Sequence, residues 1–231
     1  MIGHLVKREE DRIENSIDDL GYDKLAFGRI RLMEVQTGSQ ENRPFSARVI
    51  VVSLAFGGVA LVVVLAELFV PIPGTGVVTD PREIFTTLGA ALTGPIGGLI
   101  IGVLAGIGEA FIGSPAERIP LASLLAHVAG GVWMGWAYKK LVFNHLQMPA
   151  LVLGWAAIVA IFYFVFAIPG FVIGQLLFYP EQYAAFYGEG ASLIEAYLTL
   201  SPGVVPEVLI TVIITSLVMV ALPRRYRRPL W

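Results

Sequence analysis

The sequence contains no cysteine, which excludes disulfide bonds and thiol chemistry. Charged residues are also scarce: 15% of the 231 residues are charged and 56% are hydrophobic, whereas a soluble domain carries roughly a quarter charged residues. The mean hydropathy is +0.73. The first hydrophobic run begins near Ser46, too far into the chain for a cleaved signal peptide. The composition therefore indicates an integral membrane protein.

Sequence signatures of common enzyme classes and of nucleic-acid binding are missing. The chain has no His-Glu-x-x-His zinc pattern, no Walker sequence and no Gly-x-Ser-x-Gly. Its three histidines, at positions 4, 127 and 145, do not form a metal cluster. No basic patch alternates with aromatic residues, as nucleic-acid binding would require. We therefore expect no enzyme activity, no cofactor, no metal and no nucleic-acid partner.

Apolar stretches of about twenty residues match the ~30 Å hydrocarbon core of a bilayer. They predict an all-α membrane protein with six transmembrane helices, at 46–69, 82–93, 96–113, 120–142, 149–178 and 203–222. A polar segment at 1–45 precedes the transmembrane domain at 46–222, and a basic tail at 223–231 follows it. Gly94-Pro95 predicts a tight break between the second and third helices. Pro169-Gly170 predicts a kink in the fifth.

The basic residues predict the orientation, because cytoplasmic loops of membrane proteins carry an excess of Lys and Arg. Six helices place eight of these residues on one side: Arg43, Arg48, Lys139, Lys140, Arg224, Arg225, Arg227 and Arg228. The long connection at 179–201 on the other side has no basic residue. We therefore expect a multi-pass protein of the plasma membrane with both termini in the cytoplasm.

Small residues at helical spacing predict close helix packing. Gly94, Gly98, Gly102 and Gly106 recur every fourth residue in the third helix, and Gly130, Gly131 and Gly135 offer a second such surface in the fourth. Ser53, Gly57 and Ala60 form a small-residue face in the first helix. We expect that face to dock a partner membrane subunit, with packing inside the same bundle as the alternative.

Ionisable residues inside membrane helices are rare and mark functional sites. This sequence has four: Glu67, Glu109, His127 and Glu207. The orientation above places all of them toward the outer side, so we expect an outward-facing pocket for a small-molecule ligand. The ligand would be cationic if the carboxylates are charged, or neutral and polar if they are protonated. Two alternatives remain: Glu67 and Glu207 reach the headgroups, or a backbone carbonyl satisfies His127.

The outer connections could complete this pocket. The loop Pro71–Pro81 is rich in proline and glycine, so Pro73 and Asp80 are candidates for a rigid lid. Tyrosines between Tyr179 and Tyr197 supply aromatic surface nearby. The alternative for those tyrosines is a belt at the membrane interface.

The stretch Pro71–Gly113 resembles the substrate-binding membrane subunits (S-components) of energy-coupling-factor vitamin importers. The shared features are the Pro-rich first loop, the short second helix, Leu92-Thr-Gly-Pro-Ile-Gly-Gly98 and the glycine-spaced third helix. The resemblance implies capture of a vitamin-like molecule from outside, with a coupling transmembrane subunit and ATPases as partners and lipid around the helices. It does not assign individual ligand-binding residues.

The same stretch is similar to the membrane sensor region of Lyt-type histidine kinases, through Thr79-Asp-Pro-Arg-Glu-Ile, Gly94-Pro95 and Gly113. That resemblance implies a ligand-sensing module of a signalling system. Because no transmitter domain follows the sixth helix in this sequence, the importer is the preferred interpretation at this stage. A structural or accessory subunit of a larger complex is a further alternative.

Overall fold

The structure, a computed structural model, describes residues 46–68, 70–71, 78–79, 81–112, 119–143 and 149–231. The predicted polar segment 1–45 and the lid candidates Pro73 and Asp80 lie outside these residues. The helices are α1 (Ala47–Leu65), α2 (Arg82–Ile107), α3 (Pro120–Ala137), α4 (Ala150–Ile161), α5 (Ile168–Phe178), α6 (Pro180–Tyr187), α7 (Leu193–Ala221) and α8 (Arg224–Arg227). Two short strands, β1 (Val70–Pro71) and β2 (Val78–Thr79), pair antiparallel with Val70 opposite Thr79.

Several helical stretches are long and apolar enough to cross a bilayer. Within the described residues they are Ala47–Leu65, Arg82–Ala110, Ala150–Phe178 and Leu193–Ala221, judged by length and composition. The prediction of an all-helical, multi-pass membrane protein is therefore confirmed. The number of six crossings and the cytoplasmic termini stay predictions.

Helix α2 is a hairpin of two half-length helices rather than one rod. Gly94 has φ 84° and ψ −174°, a left-handed conformation that glycine adopts without strain. Arg82 Nη1 donates to the Ala105 carbonyl at 3.1 Å, although a straight helix would separate these residues by about 34 Å. We call the halves α2a (82–93) and α2b (95–107). The tight break predicted at Gly94-Pro95 is present, and α2a alone, at about 18 Å, is short for a crossing.

Glycines bring α2b and α3 into backbone contact. A Cβ atom at Gly98 would overlap the Gly131 carbonyl oxygen, and one at Gly102 would lie 2.5 Å from the His127 carbonyl oxygen. Larger side chains would push the helices apart, which is how small residues let membrane helices approach closely. The predicted role of these glycines in packing is confirmed. The Gly102 contact also fixes the position of His127 along the axis of α2b.

The fifth predicted helix is interrupted, but earlier than expected. A π-helical segment at Phe162–Ala167 separates α4 from α5, and Pro169 lies in the first turn of α5. Proline has no N–H and its ring collides with the carbonyl four residues earlier. A wider π turn before Pro169 accommodates both effects, and it turns Tyr163 into the bundle, where this side chain is 3% exposed.

The last long helix begins ten positions earlier than the sequence analysis placed it, at Leu193 instead of Gly203. Ser192 and Glu195 form a reciprocal capping box, in which each side chain satisfies a backbone N–H of the other residue. This Ser-x-x-Glu pattern is a recognised helix start. The connection at 179–201 is therefore mostly helical, with α6 and the first turns of α7, rather than an irregular loop.

The C-terminal tail folds back onto the α2 hairpin. Leu230 N donates to the Leu92 carbonyl at 2.7 Å, an oxygen that lost its helical partner when α2a ended at Gly94. Lys139 Nζ donates to the Trp231 carbonyl and lies 4.3 Å from the centre of the Trp231 ring. The tail therefore ties the end of α7 to the turn of the hairpin, at the opposite end of the bundle from Arg82.

Candidate functional site

Two buried ion pairs lie where α2a begins and α2b ends. The hairpin brings Arg82 to the turn after α2b, where its Nη2 lies 3.1 Å from Glu109 Oε1. The same guanidinium donates through Nη1 to the Ala105 carbonyl. Arg82 therefore joins both ends of the hairpin. The Arg82 and Glu109 side chains are 10% and 19% exposed.

The second pair joins α2a to α3. His127 Nε2 lies 2.5 Å from Glu83 Oε1, and both residues are buried, at 7% and 5% exposed. His127 Nδ1 lies 2.6 Å from the Ser123 carbonyl oxygen, which can only accept. Nδ1 therefore carries a hydrogen, and one further proton is held between Nε2 and the carboxylate. The alternative in which a backbone carbonyl satisfies His127 describes Nδ1, whereas Nε2 faces the Glu83 carboxylate.

The charges of these four side chains balance. Arg82 is cationic and faces the Glu109 carboxylate. The Glu83–His127 pair is neutral overall whether the shared proton sits on oxygen or on nitrogen. Burial of charges in a membrane protein is costly unless they are paired, so this balance is what allows the group to lie inside the helices. Glu83 Oε2 has no hydrogen-bond partner among the described residues, which leaves one buried acceptor for a ligand.

A third polar contact lies close to this group and involves α7. Tyr163, in the π-helical segment before α5, donates to Glu207 Oε1 at 3.0 Å and lies 2.9 Å from Thr211 Oγ1. Glu83 is close enough to Tyr163 for the two to interact electrostatically. We call the whole set the polar cluster: Arg82, Glu83, Glu109, His127, Tyr163 and Glu207. Within it, side-chain contacts join α2 to α3 and Tyr163 to α7.

The structure brings together three of the four predicted site residues. Glu109, His127 and Glu207 belong to the polar cluster, where their partners are Arg82, Glu83 and Tyr163, three residues that the sequence analysis did not select. Glu67 follows α1 with φ 49° and is exposed, and no contact links it to the cluster within the described residues. The signal that could have found Arg82 and Glu83 is the run of buried polar residues at successive turns of α2a: Arg82, Glu83, Thr86, Thr87 and Thr93.

The predicted docking face of α1 packs inside the bundle. Ser53 and Ala60 are fully buried, and a Cβ substituent at Gly57 would meet Leu104 and Ile101 of α2b. These contacts correspond to the alternative of packing within one bundle. They leave this face covered by α2b.

Comparison with known protein families decides between the two resemblances. Residues 35–184 match the family described as the 5TMR of 5TMR-LYT, the five-transmembrane receptor region of LytS-type histidine kinases. The match covers well over half of the chain. This chain belongs to that family. Comparisons with curated proteins and with solved structures gave no match.

The family match corrects the preferred interpretation of the sequence. Assignment to the importer S-components was wrong, and so was the function of capturing a vitamin for uptake with a coupling subunit and ATPases. The misleading features were the glycine-spaced helix and the Gly94-Pro95 break, which here serve helix packing and the hairpin turn. Thr79-Asp-Pro-Arg-Glu-Ile, which leads into the cluster residues Arg82 and Glu83, carried the more specific resemblance.

Proposed function

We propose that this chain is the ligand-sensing membrane module of a signalling system and that its output is read by a histidine kinase. Membership of the receptor family supports this proposal. The observation that carries it is the polar cluster, which ties the two ends of the α2 hairpin to each other and to α3 and ties Tyr163 to α7. The module itself has no enzymatic role in this proposal.

The proposed topology has six crossings and cytoplasmic termini. The residues matched by the five-transmembrane family contain α1, α2a, α2b, α3 and the α4–α5 unit. Helix α7 follows them as a sixth segment. An even number of crossings puts both ends on one side, and the basic residues at the start of α1, the end of α3 and the tail favour the cytoplasm for that side.

The cluster is suited to sensing because its contacts can be exchanged. In the described residues the charges pair with one another, so a small polar ligand that enters from the α2a side must replace one of these contacts with its own. Glu83 Oε2 is the open acceptor. Loss of the Arg82–Glu109 contact would release one end of the hairpin, and displacement of Tyr163 would act on α7. The cluster would then exist in two arrangements, one with these contacts intact and one with a contact replaced by the ligand. A ligand shifts the equilibrium between them only by the difference in its affinity for the two arrangements.

The partner can be tested by photo-crosslinking in native membranes. A photoreactive amino acid replaces Lys140, which is exposed at the basic end, and the crosslinked proteins are identified by mass spectrometry. We expect a histidine kinase. A matched variant carries the same probe at Glu189, which is exposed at the opposite end, and should not capture it. Recovery of transport ATPases instead, or of the kinase from Glu189 alone, would contradict the proposal.

A further inference from the structure

The C-terminal tail is docked on the turn where α2a and α2b meet. Leu230 N donates to the carbonyl oxygen of Leu92, in the last turn of α2a. The Trp231 ring lies so close to Gly94 that a Cβ atom there would overlap it. Lys139, which follows α3, donates to the Trp231 carbonyl. The tail therefore contacts α2a, the turn and the end of α3, so its docking depends on how these three parts are arranged.

One half of the hairpin is fixed to α3 through backbone contacts. A Cβ atom at Gly98 would overlap the Gly131 carbonyl oxygen, and one at Gly135 would overlap the Gly94 carbonyl group. Close-packed backbones of this kind leave little room for one helix to slide on the other. Helix α2b and the turn at Gly94 therefore move together with α3.

The other half, α2a, is held by side chains. Gly89 packs against the Phe56 side chain of α1, and the start of α2a is held by the two ion pairs of the polar cluster. The non-helical dihedral angles inside α2 belong to Gly94. When a cluster contact is lost, α2a can therefore turn about Gly94, and the Leu92 carbonyl moves away from the Leu230 N–H group.

Docking of the tail leaves two buried donors unpaired. Arg227 Nε and Trp231 Nε1 are buried, and neither has a hydrogen-bond partner among the described residues. A buried N–H group without an acceptor lowers the stability of the state that buries it. Water reaches both groups once the tail leaves, so release recovers part of the free energy that the broken contacts cost.

The tail can leave without any change in α7. Helix α7 ends at Ala221, and both Leu222 and Pro223 are extended, because a proline disfavours helical dihedral angles in the residue before it. Beyond this break the tail is held by single contacts, among them the hydrogen bond from Tyr138 OH to the Arg227 carbonyl at 3.0 Å. Leu222 and Pro223 therefore form a joint about which the tail can swing.

We propose that the tail is a releasable latch on the hairpin turn, docked while the polar cluster is closed and released when α2a turns about Gly94. The inference rests on the proposed sensing function, because it describes how a change in the cluster is transmitted to the opposite end of the bundle. Two sets of contacts that constrain the same hairpin are coupled in both directions. Opening of the cluster favours release of the tail, and release of the tail favours opening of the cluster.

Release can be measured by pulsed electron paramagnetic resonance on the full chain in lipid nanodiscs. Because the chain has no cysteine, the substitutions Lys140→Cys and Arg225→Cys, both at exposed positions, place spin labels at these two sites alone. We expect one short distance between the labels for the docked tail. Trp231→Ala should convert it to a broad distribution of longer distances. Glu83→Gln should raise the released fraction at least about fivefold, and Gly58→Ala should leave it unchanged.

Glu109→Gln is an independent variant of the cluster and serves if Glu83→Gln does not fold. It weakens the contact with Arg82 and should also release the tail. A released fraction at the Gly58→Ala level in both cluster variants would overturn the proposal, and so would an unchanged distance in Trp231→Ala. The measurement needs no kinase. If the cluster variants release the tail but crosslinking recovers no histidine kinase, the latch stands and the proposed function is wrong.

The reverse effect provides a second test. Because coupling is reciprocal, Trp231→Ala should speed amide hydrogen exchange in α2a by about the factor by which Glu83→Gln raises release of the tail. Mass spectrometry of peptides from 82–93 measures this exchange, with Gly58→Ala as the control. Exchange in α2a that stays at the control rate after Trp231→Ala would refute coupling between the tail and the cluster.

Discussion

Replacement of Glu83 and His127, singly and together, tests whether the polar cluster is a coupled unit. At 2.5 Å and an effective dielectric constant of ~20, their Coulomb attraction is about 6–7 kcal/mol. Desolvation costs several kcal/mol for each ion, so the intact pair adds little net stability. Removal of one partner is different, because it leaves a buried polar group without its contact.

The loss in free energy of unfolding after a single substitution depends on the side chain that remains. Loss of one partner of a buried ion pair typically costs about 3–5 kcal/mol, but His127 can escape the penalty by losing its proton. We therefore expect Glu83→Gln and His127→Gln each to lower the free energy of unfolding by about 1–3 kcal/mol, the cost of an unsatisfied buried group. The double variant leaves no charge unpaired, so its loss should fall short of the sum by at least ~1 kcal/mol.

The assay is reversible unfolding of the purified full chain in mixed detergent and denaturing micelles, followed by helical circular dichroism. Gly58→Ala is the control, because a Cβ at Gly58 has no atom within 4 Å. The variant should lose no stability, and alanine in mid-helix should raise the free energy of unfolding by at most ~1 kcal/mol. Losses from the two single variants that add to within ~0.5 kcal/mol would show that the side chains act independently. That result would refute the contact and the cluster built on it.

Two further predictions concern the packing around the hairpin. Gly98→Ala should destabilise the chain by about 1–3 kcal/mol, because the new methyl group overlaps the Gly131 carbonyl oxygen of α3. The same unfolding assay compares this variant with Gly58→Ala. Equal stability of the two variants would refute the close approach of α2b and α3. The Trp231 ring lies against Gly94 at the hairpin turn, so Trp231→Ala should release the tail and speed proteolysis after the tail arginines without unfolding the helices. Limited trypsin digestion with mass spectrometry measures this, and unchanged cleavage would count against the docked tail.

The positions of the helices could be predicted from the sequence because bilayer thickness sets the length of apolar runs. Gly94-Pro95 marked the hairpin turn, since glycine permits the left-handed backbone and proline cannot continue a helix. The early start of α7 was also encoded, in the capping box of Ser192 and Glu195, but these residues were assigned to the connection at 179–201 because they lie among polar and aromatic residues. The π segment before Pro169 was not predicted, because a proline indicates that a helix is distorted but not which turn changes its geometry.

The site was only partly predictable for a related reason. Glu109 and His127 stand out as isolated ionisable residues in apolar helices. Arg82 and Glu83 do not, because they directly follow a loop and resemble residues exposed at a helix start. Only the hairpin, which returns Glu109 to Arg82, reveals that this helix start is buried. Glu67 had the same sequence signal as Glu109 but lies at an exposed helix end.

Control of a histidine kinase by the polar cluster, as proposed above, can be measured directly. The direct measurement is the autophosphorylation rate of the kinase recovered by crosslinking, reconstituted in vesicles with the wild-type chain, with Glu83→Gln or with Gly58→Ala. We expect the wild-type chain to change the rate relative to kinase alone. Glu83→Gln should alter this effect severalfold, and Gly58→Ala should match the wild type. A rate that is the same in all four samples would contradict it.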